Sequence, residues 1–298
     1  MLDFNTPRKN RWLLFSSWIV LSLVLFLSPI LALVKLSLSQ DDSSYLILIP
    51  FISAVILYLE RDKIFSHVST DIKLGTTFLL LSGLVALASH FAKSFPSPGV
   101  KLSGWLIALV LLWASGFAFS FGRGALKAAY FPFFFLLLMV PIPNFLLDRI
   151  IFLLQEGSAW ITGALFDLVG VPALREGLVF HLAKVNIEVA KECSGIRSSM
   201  ALFILALLVA HFQLTSFWNK IVFIIFGLFM MILKNGIRIA TLTLLAVYVD
   251  PSFLSGRLHH EGGVIFFVLA LLLLLPVLAL LQHWESGRPV VAEPPKTS

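Results

Sequence analysis

The chain has 298 residues, 59% of them hydrophobic and only 13% charged, with a formal net charge of +6. A soluble domain is about 45–50% apolar and about 25% charged, so these few charges exclude a protein folded in water and make lipid the main solvent. The basic residues stand singly between apolar runs, without a stripe of basic and aromatic residues, which excludes nucleic acid as a partner and makes the charge a topology signal.

Arg8, Lys9 and Arg11 precede an apolar run too long for a signal peptide and without a small-residue cleavage site, so the run is predicted as a retained first span. Crossing a bilayer takes about 20 mostly apolar residues. Spans are predicted over roughly 12–34, 45–59, 74–91, 103–122, 126–142, 197–214, 217–248 and 263–282. The second is short. The seventh is long, and is either tilted or broken near Asn235-Gly236. The expected fold is an all-α polytopic membrane protein of about eight transmembrane helices. It forms one membrane domain over 1–283, followed by a polar, disordered cytoplasmic tail over 284–298.

Basic residues in short loops set orientation. Arg8, Lys9 and Arg11 put the N-terminus in the cytoplasm, and Arg61, Lys63, Lys73, Arg123, Lys127 and Lys220 fall on the same side. Asp41, Asp42, Lys93 and Lys101 fall on outer loops. Eight spans return the C-terminus to the cytoplasm.

Pro141-Ile142-Pro143 stops the fifth span, because proline lacks the donor that a helix needs. The apolar stretch 145–169 carries Asp148, Arg149, Gln155 and Glu156, and is expected to lie in the outer interface or to re-enter. Gly177 to Leu182 and the alternating Val185-Asn186-Ile187-Glu188-Val189 predict a small extracytoplasmic hairpin. It leads into Cys193 and the sixth span.

Three sequence-distant groups then fall at one predicted depth, the outer face. Cys193, the lone cysteine, sits just before the sixth helix. Arg238 lies about 30 Å into the seventh helix at about 1.5 Å per residue, one hydrocarbon thickness. His259 and His260 precede the eighth. A thiolate is a nucleophile, favoured by a helix N-terminus or a nearby cation. Histidine can take the thiol proton and return it to a leaving amine. Arginine stays charged and can hold an oxyanion or a carboxylate. Arg197, four residues after Cys193, is a candidate second cation. Asn235, three residues before Arg238, either orients it or breaks the helix with Gly236.

Blander roles exist for each residue. A lone membrane cysteine commonly packs as a small apolar residue, an arginine near a helix end snorkels, and a loop His-His pair is commonly solvated. The polar, glycine-containing turn around Cys193 and the ten residues of predicted helix after Arg238 argue for the functional roles. His260-Glu261-Gly262-Gly263 lacks the second histidine of a zinc-peptidase helix. No metal or other cofactor is called for.

At these residues the sequence resembles the exosortase/archaeosortase family of integral-membrane cysteine transpeptidases. Glu192-Cys193-Ser194-Gly195-Ile196-Arg197-Ser198 resembles its cysteine motif, and Lys234-Asn235-Gly236-Ile237-Arg238 its arginine motif. His259, four residues before Gly263 and eight before Phe267, resembles its histidine motif, with His260 the alternative register. Val140-Pro141-Ile142-Pro143 and the hairpin match its layout, and the likeness is most specific over 137–270. The resemblance implies catalytic Cys193, Arg238 and His259 at the extracytoplasmic face of a bacterial inner membrane. It implies exported proteins as substrates, recognised by a C-terminal sorting signal of short motif, transmembrane helix and basic cluster. They would be cleaved through a thioester on Cys193 and transferred to an acceptor that the sequence does not name. Membrane lipids are the other partner. The rival classes are a transporter or channel using Arg238, against which stands the lack of repeated halves, and a non-catalytic assembly subunit.

Overall fold

A computed structural model describes residues 8–91, 98–183, 185–189, 196–254 and 263–286. They gather into two compact units, Met1–Leu147 and Asp148–Ser298.

In the first unit, α1 (Arg8–Leu25) and α2 (Leu27–Ser39) meet at a 74° bend. Next come α3 (Ile49–Leu59), the single turn α4 (Arg61–Ile64), α5 (Ile72–Phe91), α6 (Pro98–Ala128) and α7 (Tyr130–Leu136). Helices in lipid gain little from burying apolar groups against each other, so they pack through small residues and hydroxyls. The α5–α6 pair does this. Ser82 Oγ donates to the Ala108 carbonyl at 2.7 Å, and Ser115 Oγ to that of Gly75 at 2.8 Å. Near the N-terminal end, Phe15 packs on an aromatic cluster of Phe65, Phe117 and Phe121. Beside it Arg11 Nη1 donates to the Ser120 carbonyl at 3.0 Å. The helical backbone of α6 is interrupted at Gly122. α7 stays short because Val140, before Pro141, is held extended (φ −78°, ψ 119°).

In the second unit, α8 (Asn144–Val169) leads to a three-stranded antiparallel sheet of β1 (Ala173–Glu176), β2 (Val179–Leu182) and β3 (Asn186–Glu188), in the order β1-β2-β3. The expected hairpin is β2–β3; β1 is an additional strand. Gly177, at φ +62°, makes the two-residue turn between β1 and β2. Phe180 anchors the sheet on α8, edge-on to Phe166 at 5.4 Å, in a core with Ala159, Val171, Val189, Ile239 and Ala240. The polar residues of α8 serve this junction. Gln155 Nε2 donates to the Val189 carbonyl at 2.6 Å, and Glu156 pairs with Arg175.

Among the described residues, the α-helices that follow are α9 (Ile196–Gln213), α10 (Phe217–Tyr248) and α11 (Gly263–Ser286). α10 packs against both of the others. Ser216, the N-cap of α10, makes no capping bond with its own side chain. Glu285, in the last turn of α11, supplies one instead: its carboxylate accepts from the backbone N–H groups of Thr215 and Ser216, both at 2.9 Å, and from Asn219 Nδ2 at 3.0 Å.

Among the described residues, five helices are each long and apolar enough to cross a membrane: α5, α6 from Gly99, α9, α10 and α11. Counting α1–α2 and Tyr130–Met139 with α8 as one bent span each gives seven. Eight is reached only if the short apolar helix Leu46–Leu59 also crosses. Its 14 residues reach about 21 Å, short of a hydrocarbon core of about 30 Å. The all-α polytopic class therefore holds, and the count of eight turns on that one helix. Of the two alternatives for the seventh span, tilted or broken, the break is absent, since α10 is continuous through Asn235 and Gly236. The stretch 145–169 is one unbroken helix. Most of the expected tail, 287–298, lies outside the described residues.

Candidate active site

Gly236 lies within α10 because of packing. A Cβ there would stand 2.5 Å from Ile161 Cγ2 and 3.1 Å from the Ser158 carbonyl, both on α8. Only glycine allows this approach. It is fastened on either side: Thr162 Oγ1 donates to the Gly236 carbonyl at 3.2 Å, and Asn235 Nδ2 to Ser158 Oγ at 3.0 Å. Asn235, 2% exposed, therefore faces α8 and holds the helix pair together.

α10 also packs against α9. The two are joined by the short turn 214–216 and so run antiparallel. Two contacts fix their register. Lys234 Nζ donates to Ser198 Oγ in the first turn of α9. Seven residues back along α10, a Cβ on Gly227 would lie 3.1 Å from that of Ala206, eight residues on along α9. Arg238 is one turn beyond Lys234, about 6 Å at 1.5 Å per residue, which brings it level with the N-terminal end of α9.

Arg238 is half-buried, and ten helical residues follow it to Tyr248. It is not a terminal residue of its helix. Ile239, Ala240 and Leu244, just beyond it, enter the core shared with the sheet. Arg197 is exposed on α9. Cys193, His259 and His260 lie outside the described residues.

The structure adds Lys234 to the residues considered for this site. It is 5% exposed, on the α10 face that meets α9. A lysine inside a predicted span is itself a sequence signal, but Arg238 nearby carried the more specific chemistry.

The arrangement offers two cations one turn apart on a rigid helix. Both are near the start of a helix whose first residue comes three positions after the only thiol. Such a site can favour an anion and bind an oxyanion or carboxylate. Neither the curated proteins nor the solved structures compared with the chain give a match. A family model described as transmembrane exosortase matches residues 36–276, a stretch that runs from α2 into α11 and holds Cys193, Arg238, His259 and His260. The chain belongs to the transmembrane exosortase family.

Proposed function

We propose that this exosortase-family protein is a membrane-embedded cysteine peptidase or transpeptidase. On this reading it acts on exported proteins that end in a short motif, a transmembrane helix and a basic cluster. The observation that carries the reading is the level of Arg238. Arg238 is one turn along α10 from Lys234, which bonds Ser198 in the first turn of α9, and α9 directly follows the Cys193 segment in the chain. The Cys193 thiolate attacks the scissile carbonyl, and Arg238 stabilises the oxyanion that forms. The C–N bond breaks, and the leaving amine takes the proton that His259, or His260 in the alternative register, has drawn from the thiol. The resulting thioester is attacked by an acceptor nucleophile or by water, which frees the thiol. The substrate's own helix, held against the bundle, supplies the positioning.

The test is interception of the thioester. Membranes containing the protein are incubated with a tagged substrate of this kind, with and without hydroxylamine. Hydroxylamine is expected to increase release and to leave a hydroxamate at the new C-terminus. Release that is unchanged, with no hydroxamate formed, rules out the thioester.

The reading also places the chemistry outside the cytoplasm, with both termini inside. Single cysteines at Ala190 and Leu258, in a Cys193→Ala background, are expected to react with an impermeant maleimide in intact cells. Reaction only after permeabilisation would reverse the orientation. The same labelling tests whether Leu46–Leu59 crosses, because the parity of the spans depends on it.

A further inference from the structure

The mechanism above gives Lys234 no part. Yet among the described residues it is the only Lys, Arg, Asp or Glu that is buried. A charged group inside a span is costly and is kept where it meets a counter-charge or a functional partner. The hydrogen-bonding partner of Lys234 is a hydroxyl, Ser198 Oγ, and no carboxylate among the described residues is within ion-pair distance of it. Among the described residues, the charged and titratable groups of the surrounding elements do not neutralise it. On α10 itself the nearest is Arg238, another cation. α9 carries the exposed Arg197 and, at its far end, His211. α11 carries His283 and Glu285 near its C-terminal end, where Glu285 is bound to the α9–α10 turn. Glu156 of α8 is committed to Arg175, and Asp148, Arg149 and Asp167 of α8 are exposed. A buried ammonium with only a hydroxyl partner calls for an anion. The segment leading into its partner Ser198 contains Cys193, five residues earlier.

We propose that Lys234 is a positioning residue of the same site: it ties the first turn of α9 to α10 one turn below Arg238, and its charge favours the thiolate form of Cys193. This rests on Cys193 being the nucleophile, and the two ideas fail separately.

Cys193 is the only cysteine, so the rate of iodoacetamide modification against pH reports its ionisation without interference and without substrate. In the full-length protein the midpoint is expected to lie below the ordinary thiol value of about 8.5. Lys234→Met removes both charge and hydrogen bond. Lys234→Gln removes the charge but can still donate to Ser198. Both are expected to raise the midpoint by about one pH unit, the lower end of what an opposite charge at close range produces. Processing near neutral pH then falls by up to about tenfold at equal membrane abundance, the full tenfold applying where both midpoints lie well above the pH. Ser198→Ala keeps the charge and is expected to move the midpoint by less than half as much.

A purely structural lysine would leave the midpoint of Lys234→Gln unchanged, and that result overturns the proposal. A wild-type midpoint at or above about 8.5 does so as well, even if neither variant accumulates. Full processing by Cys193→Ala would instead remove the nucleophile. Together with an inactive Ser198→Ala it would make Ser198 the nucleophile and Lys234 its base, and both readings would be lost.

Discussion

Cys193→Ala and Cys193→Ser are both expected to lose all detectable processing of an exported substrate while the protein still accumulates in the membrane. Alanine removes the nucleophile. Serine keeps its size, but its hydroxyl is barely ionised near neutral pH, whereas a thiol beside cations is readily a thiolate. Losing the nucleophile of a triad enzyme costs on the order of 10⁶ in turnover, far beyond what a packing defect of one sulfur atom would produce. The measurement is the processed fraction of substrate over time, normalised to protein level in membranes. Processing at the normal rate by either variant would return Cys193 to the role of a packing residue.

Arg238→Lys has the second-largest expected effect, a fall in turnover of at least about tenfold at unchanged abundance. Losing one oxyanion donor costs on the order of 10²–10³ in rate, and the bound is set below that because lysine retains the charge. An arginine that merely snorkels would be replaced by lysine at little cost. Two features argue against that role: Arg238 is half-buried, and its helix continues ten residues beyond it, into the core with the sheet. A guanidinium offers a planar fork of donors that an ammonium cannot reproduce. Near-normal turnover of Arg238→Lys would mean the site needs only a positive charge at this depth, or that Arg238 is an anchor.

Much of the helical layout was legible in the sequence because lipid imposes a single strong pattern, long apolar runs ended by charge or proline. The helices at 196–213, 217–248 and 263–286 lie close to the predicted spans. What could not be read was contact. Asn235-Gly236 has the composition of a break, and only the approach of Ile161 and Ser158 shows that it is the seat of a helix crossing. Gln155 and Glu156 look like interfacial residues of an exposed helix, but they hold the end of β3 and Arg175 of β1. β1 itself is four residues long and alternates in burial, but Ala173-Leu174-Arg175-Glu176 does not alternate apolar with polar residues, which leaves Gly177 as its one local signal. The family motifs pointed to Arg238 by type and spacing. The arginine motif begins at Lys234 but gives it no role, and the case for that residue rests on its burial and on its bond to Ser198.

The continuity of α10 has a consequence for how a substrate is measured. Lys220 and Arg238 are 18 residues apart on one unbroken helix, a fixed separation of about 27 Å, close to the thickness of the hydrocarbon slab. A broken helix could flex between these two charges; a continuous one keeps them at a set spacing, close to that between the two headgroup layers. If the protein acts as proposed above, its reacting level is set by the bilayer, and a client whose anchor matches that thickness is expected to present its scissile bond at the level of Arg238. A longer anchor must tilt or overshoot, at a cost of fractions of a kcal/mol per Å of mismatch. On that proposal, the length of the client's anchor is a selection criterion in its own right, separate from the motif that precedes it.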